Sequence, residues 1–564
     1  MSHSSKNEHQ YVDAVVIGAG FAGLYMLFKL RQLGLTARVF EAGDGVGGTW
    51  YWNRYPGARC DVESLQYSYS FSEELQQEWQ WTERYPKQAE ILRYINHVAD
   101  RFGLRPDIQL NARVASAAFD EPGNRWTTTT EGGDRVTSRF LISAGGCLSA
   151  ARVPDMPGLA DFKGKWYHTG SWPHEPVDFT GQRVGVIGTG SSGIQSIPQI
   201  AKQAAQVVVF QRTPNFSIPA WNRPLPQQEQ QAWKSNYAER RKEAKTTRSG
   251  ILYDYSQYAS ADVSAPERQQ EYERRWAKGG ANYTHAFNDI YSNKKANDDA
   301  AEFVRNKIRN TVKDPKVATL LAPTDHAIGT KRICVDTDYY ETFNLPHVSL
   351  VDLKAVPIEA IVPTGIRTQA GIHEFDSIVF ATGYDAVTGA LDRIDIRGKG
   401  GLALKEKWMA GPRTYLGLMT AGFPNFFLIT GPGSPSVLTN VIMAIEQHVE
   451  WIADCLQHMQ GKHMSVAEPI QQAEDDWVAH VNEVASKTLF TGTQSWYMGA
   501  NIPGKPRVFL PYIGGLGTYT KICNEVVADG YRGFKLDAGQ GDSGNQARIK
   551  PSKLGQSSQP LQTV

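Results

Sequence analysis

Cysteine is scarce in this chain: five residues in 564, Cys60, Cys147, Cys334, Cys455 and Cys523, odd in number and far apart. With no CxxC pair there is neither zinc-type spacing nor a thiol-exchange site, so no metal is expected and a reducing cytoplasm is. Long apolar runs are missing as well. Nowhere do about 18 apolar residues stand together, and the first eleven residues lack a basic-then-apolar leader, which argues against a membrane span or an export signal. Net charge is almost absent, 59 Lys plus Arg against 58 Asp plus Glu. Such a balance sets up no global field for nucleic acid or an anionic membrane, and leaves a small molecule as the expected partner.

Glycine and aromatics are plentiful, with 52 Gly, 14 Trp and 24 Tyr, a composition suited to wrapping planar cofactors whose phosphates need close backbone approach. The run Asp13–Ile17 leads into Gly18-Ala-Gly20-Phe21-Ala22-Gly23, then a helical stretch with Leu24, Leu27 and Phe28 on one face, then Ala37–Phe40 ending in Glu41. A second such unit runs from Arg183–Ile187 through Gly188-Thr189-Gly190-Ser191-Ser192-Gly193 to Val207–Phe210 and Gln211-Arg212-Thr213. One GxGxxG is weak evidence; two, each between a strand and a helix, predict two pyrophosphate sites at helix N-termini. Glu41 suits ribose hydroxyls and would repel a 2′-phosphate, whereas Arg212 would attract one, so the first site fits FAD and the second NADPH.

The strands Phe140–Gly145 and Ser377–Gly383 read alike and flank the second unit, as if the chain leaves one domain and later returns to it. The expected fold is α/β, with two Rossmann-type dinucleotide-binding domains. A discontinuous FAD domain (1–145 and 381–539) would enclose an NADP domain (146–221 and 331–380) that carries a helical insertion (222–330), and a disordered tail (540–564) would follow. Within the insertion, Ser264-Ala-Pro-Glu267 is a capping signal and Val304, Ile308 and Val312 form a stripe. Between Gly47 and Asp61, Trp50, Trp52 and Tyr55 alternate with Arg54 and Arg59, as expected of a loop that packs against an isoalloxazine and holds an ion-paired arginine.

One further segment is specific: Phe162-Lys-Gly164-Lys-Trp-Tyr-His168-Thr-Gly-Ser-Trp172-Pro173. It resembles the FxGxxxHxxxWP fingerprint of type I Baeyer–Villiger monooxygenases, a pattern that composition alone would produce on the order of 0.0001 times in such a chain. The resemblance extends from Tyr11 to about Asp537 and includes Arg54–Asp61, Gly329-Thr-Lys-Arg332, Ala381–Asp385 and Ser495–Asn501. It implies an enzyme that uses FAD, NADPH and O₂ to turn ketones into esters or lactones through a C4a-peroxyflavin. Sulfoxidation and a monomeric state are also implied. Flavin-containing N- or S-monooxygenases are the alternative, although their fingerprint usually ends in Phe or Tyr where this chain has Trp172-Pro173.

By the same resemblance Arg332 stabilises the peroxyflavin anion and Asp61 pairs with it; a guanidinium remains a cation at any working pH, as that role requires. Gly18, Gly20, Phe21, Ala22, Gly23, Glu41, Thr49, Trp50, Trp52, Asp61, Tyr67, Val114 and Val441 would hold FAD. Arg59, Cys60, Thr189, Gly190, Ser191, Ser192, Gly193, Ile194, Gln195, Arg212, Thr213, Lys331, Arg332 and Trp496 would hold NADP. His168 would lie in a linker and couple domain motion. The substrate pocket would include Cys147, Leu148, Ser436, Val437 and Leu438. Cys147, Val437 and Val441 depart from the residues of the family's phenylacetone-oxidising members, which resemble this chain most, and shift pocket volume and polarity without touching the reaction type.

Overall fold

The structure, a computed structural model, describes residues 10–538; the tail expected over 540–564 lies outside them. From β1 (Gln10–Ile17) the chain turns at Gly18 into the helix Phe21–Gln32 and continues to β2 (Ala37–Phe40), β3 (Ile108–Gln109), β4 (Val114–Asp120), β5 (Arg125–Thr130) and β6 (Arg135–Ser143). β1 lies between β2 and β6, parallel to both, with Ala14 opposite Ala37 and Phe140. Parallel strands covered on both faces need a continuous apolar run, and Ala14, Val15 and Val16 supply it with no exposed surface.

A second, all-parallel sheet then forms from β7 (Lys165–His168), β8 (Arg183–Ile187) and β9 (Gln206–Gln211). β10 (Ser217–Pro219) pairs only with β11 (Cys334–Asp336), and β12 (Val348–Asp352) joins the second sheet beside β9. After a small antiparallel sheet of β13 (Ile358–Val362), β14 (Gly365–Thr368) and β15 (Gly371–Glu374), β16 (Ser377–Phe380) enters between β7 and β8. The chain next returns to the first sheet: β17 (Asp395–Arg397) pairs with β4, and β18 (Phe426–Leu428) with β6.

The two βαβ units repeat one geometry. Gly18 and Gly188 sit at φ +103° and +110°, where a Cβ would lie 2.7 Å from the Ala144 carbonyl oxygen and 2.5 Å from that of Ala381, at the ends of β6 and β16. Only glycine takes that turn and that approach together. The likeness of 140–145 to 377–383 in sequence is therefore the likeness of two strands that back the same turn.

Between β10 and β11 come the helices Gln227–Lys234, Tyr237–Thr246, Ala265–Lys278, Lys294–Thr311 and Pro315–Leu321. Ser264 and Glu267 form the anticipated capping box. Val304, Ile308 and Val312 are buried in the same core as Val186, Val209 and Ile194, so this segment shares the second sheet's core and does not build its own. It also reaches the first sheet's side: Tyr237 donates to the Leu65 carbonyl (2.6 Å) and Arg241 to that of Gln66 (2.8 Å).

Candidate active site

In each unit the strand after the glycine turn ends in a residue of opposite charge, Glu41 after β2 and Arg212 after β9. Glu41 follows β2, is buried, and accepts from the Ala19 N–H (2.8 Å) and the Gly43 N–H (2.9 Å). Burial raises its carboxyl above the usual range and those two donors pull it back. Arg212 follows β9 and is exposed, and Thr189 Oγ1 donates to the carbonyl of Thr213 (3.0 Å). Lys331 is lowered by burial and by the nearby charges of Arg212 and Lys354, while Asp325 opposes the shift. Cations crowded in this way fit a dianionic phosphate. The turn itself has room for one: a Cβ on Gly190 would meet nothing within 4 Å, whereas one on Gly193 would lie 2.2 Å from the Gly188 carbonyl. Gly190 is thus free for a ligand and Gly193 serves helix packing.

The loop after Gly47 begins with a single helical turn, Thr49–Trp52, and runs on to Asp61. Asp61 meets Arg332 although 271 residues separate them. Arg332 Nε donates to Asp61 Oδ2 and Nη2 to Oδ1, each at 2.8 Å, while Nη1 donates to the Val437 carbonyl at 2.5 Å. All three anchors are acceptors, and the carboxylate raises the guanidinium well above its ordinary range against the effect of burial. Ser436, held at φ +41°, sits in the short turn Ser436–Leu438 that aims this carbonyl. Beside the pair opens a cavity of about 100 Å³, lined by Arg332, Tyr253, His285, Tyr291, Tyr497 and Arg248 among others. A permanent cation oriented by a bidentate carboxylate at the edge of a small cavity can stabilise an anion that develops there.

Of the anticipated FAD residues, Phe21, Ala22, Trp50 and Tyr67 are buried together, Trp50 Nε1 donates to Tyr67 Oη (3.1 Å), and Val441 packs against them. Trp52 meets Tyr51 edge-on, and Val114 begins β4 on the sheet's other face. Some anticipated NADP residues also bond within the protein. Gln195 accepts from Tyr55 Oη (2.8 Å) and donates to the Arg59 carbonyl (3.1 Å), Arg59 pairs with Glu83 (3.0 Å), and the Cys60 thiol is buried. The Gln195 bonds to Tyr55 and Arg59 link the second sheet's helix to the loop of the first. Ser191 lies 3.3 Å from Cys334 Sγ, and Ser192 is within reach of Thr169 (3.1 Å). Trp496 packs on Tyr497 (4.2 Å), in a loop tied to the arginine's segment by Thr493 and Thr330 (2.7 Å).

The fingerprint braces the second sheet: Phe162 packs on one face and Trp172 on the other, and a Cβ on Gly164 would lie 2.4 Å from the Asp376 carbonyl. His168 was expected in a linker, but it is the last residue of edge strand β7. Its Nδ1 accepts from the Gly170 N–H (3.0 Å), so Nε2 carries the proton toward Thr382 Oγ1 (3.3 Å), where the chain crosses back toward the first sheet. Burial lowers its pKa and keeps it neutral. Of the five pocket residues only Leu438 lines the cavity; Cys147, Leu148 and Val437 form an apolar cluster with Tyr497, and Ser436 shapes the turn. Sequence reasoning missed Tyr253, His285, Tyr291 and Arg248. The one signal for the three rings is the aromatic density of 251–291, which carries no spacing rule, and nothing in the sequence marks Arg248.

Residues 15–249 match the family described as pyridine nucleotide-disulphide oxidoreductase. All five cysteines are free and buried, which leaves no redox pair for disulfide chemistry. An acetone monooxygenase (methyl acetate-forming) from Gordonia sp. (strain TY-5) is 43% identical over 93% of this chain and 99% of its own. A phenazine N-monooxygenase from Lysobacter antibioticus is also 43% identical, over 94% and 98%. Among solved structures, an oxidized steroid monooxygenase bound to NADP superposes with a TM-score of 0.91 at 52% identity, over 94% of this chain and 100% of that one. With the fingerprint, both glycine turns and the paired arginine in place, the chain belongs to the Baeyer–Villiger monooxygenases.

Proposed function

We propose that this protein is an FAD-containing, NADPH-dependent monooxygenase that converts ketones to esters or lactones. The observation that carries this reading is the bidentate Asp61–Arg332 pair, which ties the loop after Gly47 to the segment entering β11 and opens on a cavity. When bound, the flavin, reduced by NADPH, supplies activated oxygen. The turn around Gly18 and Glu41 would hold FAD; the turn around Gly188, with Arg212, Thr213 and Lys331, would hold the 2′-phosphate coenzyme.

Arg332 provides a fixed positive charge for the anion that forms as oxygen attacks the carbonyl, and it cannot quench that anion by giving up a proton. Asp61 and the Val437 carbonyl orient it. Tyr497 in the cavity wall, with Trp496 packed on it, would help keep water from the reacting atoms. The discontinuous two-domain division drawn from the sequence fits the seam at Gln195, Arg59 and His168, about which the domains would rotate. Sulfides would be oxygenated in the same cavity, and the enzyme would act as a cytoplasmic monomer, in keeping with its five unbridged thiols.

The test is purified protein with NADPH in air and phenylacetone, cyclohexanone or a bulky cyclic ketone, following ester by gas chromatography and peroxide in parallel. Ester that is lost in Arg332→Ala while yellow flavin stays bound supports the reading. Peroxide alone with every ketone, together with oxidation of an amine, would transfer the assignment to N-oxygenation, the activity named for the phenazine relative.

A further inference from the structure

The cavity beside Arg332 has a second cation. Arg248 stands at its rim, exposed, just after the helix Tyr237–Thr246. The charge of Arg332 is matched by both oxygens of Asp61. Arg248 has no such match: among the described residues it pairs with no carboxylate and rests on the ring of Tyr291, 5.3 Å from the centroid. No Asp or Glu lines the cavity. His285, in the same wall and stacked on Tyr253 (4.9 Å), adds no compensating charge; burial, with help from Arg248 and Arg275, pushes its pKa down to about 3 and keeps it neutral.

We propose that Arg248 selects ketones that carry a carboxylate remote from the reacting carbonyl. This rests on the oxygenation reading above, which sets the carbonyl at Arg332. The guanidinium is held over the Tyr291 ring without contacting a carboxylate among the described residues, and its planar fork of N–H donors matches a carboxylate in bidentate fashion. Because Arg248 is exposed, the anion it binds stays partly hydrated, so the desolvation that cancels much of a buried pair is small here. A substrate gripped at both ends is also fixed in direction, so Arg248 would bias which carbon migrates.

The test compares phenylacetone with its para-carboxylate on the holoenzyme. Expected is a kcat/KM for the acid about tenfold or more above that of the neutral ketone at low salt, shrinking toward unity at about 0.5 M salt. Arg248→Gln should abolish that ratio and Arg248→Glu invert it. A wild-type ratio of one, or a ratio that survives Arg248→Gln, would overturn the proposal. Binding of the acid to the oxidised holoenzyme, read from the flavin difference spectrum, separates the two ideas. If Arg248→Gln binds it unchanged, the selection by Arg248 is wrong; if binding weakens yet wild type yields no ester from either ketone, the oxygenation reading is wrong.

Discussion

Replacing Asp61 by alanine strips Arg332 of two of its three hydrogen bonds and leaves only the Val437 carbonyl. Truncating one partner of a fully buried pair costs about 3–5 kcal/mol, and exposed pairs are worth about 0–1. Here 31% of the arginine side chain and 24% of the aspartate remain accessible, so an intermediate cost of about 2–3 kcal/mol applies. Charged to the oxygenation step, that is a loss of about 30- to 160-fold at 1.36 kcal/mol per tenfold. NADPH consumption should fall far less, because the glycine turns do not depend on Asp61. The assay is therefore a ratio: ester formed and peroxide released per NADPH consumed. Asp61→Asn should fall between alanine and wild type, since its amide oxygen can still accept from one guanidinium N–H while the NH₂ faces the other and the charge is lost. An ester-to-NADPH ratio within about twofold of wild type in Asp61→Ala would refute the reasoning, for the arginine would then need no orienting carboxylate.

Three further outcomes are expected. Gly190→Ala should fold normally, since its methyl meets nothing within 4 Å, yet weaken NADP⁺ about tenfold or more by filling the pyrophosphate's approach; Gly23→Ala, whose Cβ would lie 1.8 Å from the Gly18 carbonyl, should lose FAD and thermal stability. Titration calorimetry and melting curves distinguish the two, and equal melting losses would sink the distinction. Arg212→Ala should cost NADP⁺ about tenfold or more in affinity and leave NAD⁺ little changed, checked by the two dissociation constants. His448, buried, accepts from the Thr430 N–H at Nδ1 (2.9 Å) and has its pKa pushed from 6.5 to about 3 by burial. The unfolded chain therefore takes up this proton first, and stability drains at about 1.4 kcal/mol per pH unit as pH falls from 6.5 toward 3. The melting temperature of wild type should drop faster over that window than that of His448→Gln; parallel curves would exclude the imidazole as the proton acceptor.

Local geometry made the fold legible. A glycine forced to φ +103° with a carbonyl 2.7 Å from its missing Cβ cannot be anything else, so Gly18 and Gly188 announce their turns wherever they occur. The strands that back them, ending at Ala144 and Ala381, read alike for the same reason. Partners set by tertiary structure are less visible. Nothing in spacing or periodicity joins Asp61 to Arg332; the resemblance of two motifs did. Nor could a side-chain pattern point to the Val437 carbonyl, which is backbone chemistry. Gln195 and Arg59 stand in motif positions, yet in this structure Gln195 serves Tyr55 and the Arg59 backbone, and the Arg59 side chain serves Glu83. His168 reads as a linker residue until β16 is seen to pair with it.

The cavity was the least legible part because no single element builds it. Arg332 comes from the return into β11, Leu438 from a turn before the helix Val441–Gly461, Tyr497 from a loop near the C-terminal end, and Arg248, Tyr253, His285 and Tyr291 from the helical segment that bridges both sheets. The reacting charge thus sits on residues fixed by the seam between two sheets, while much of the wall sits on an insertion anchored by apolar packing and a few bonds such as Tyr237 to Leu65. Substitutions in that segment can redraw the wall without moving Asp61, Arg332 or either glycine turn. Selectivity and reactivity are then separable by position: changes at 248–291 should move the ratio between ketones by about 1–3 kcal/mol, whereas changes at 61 or 332 should lower oxygenation of every ketone together.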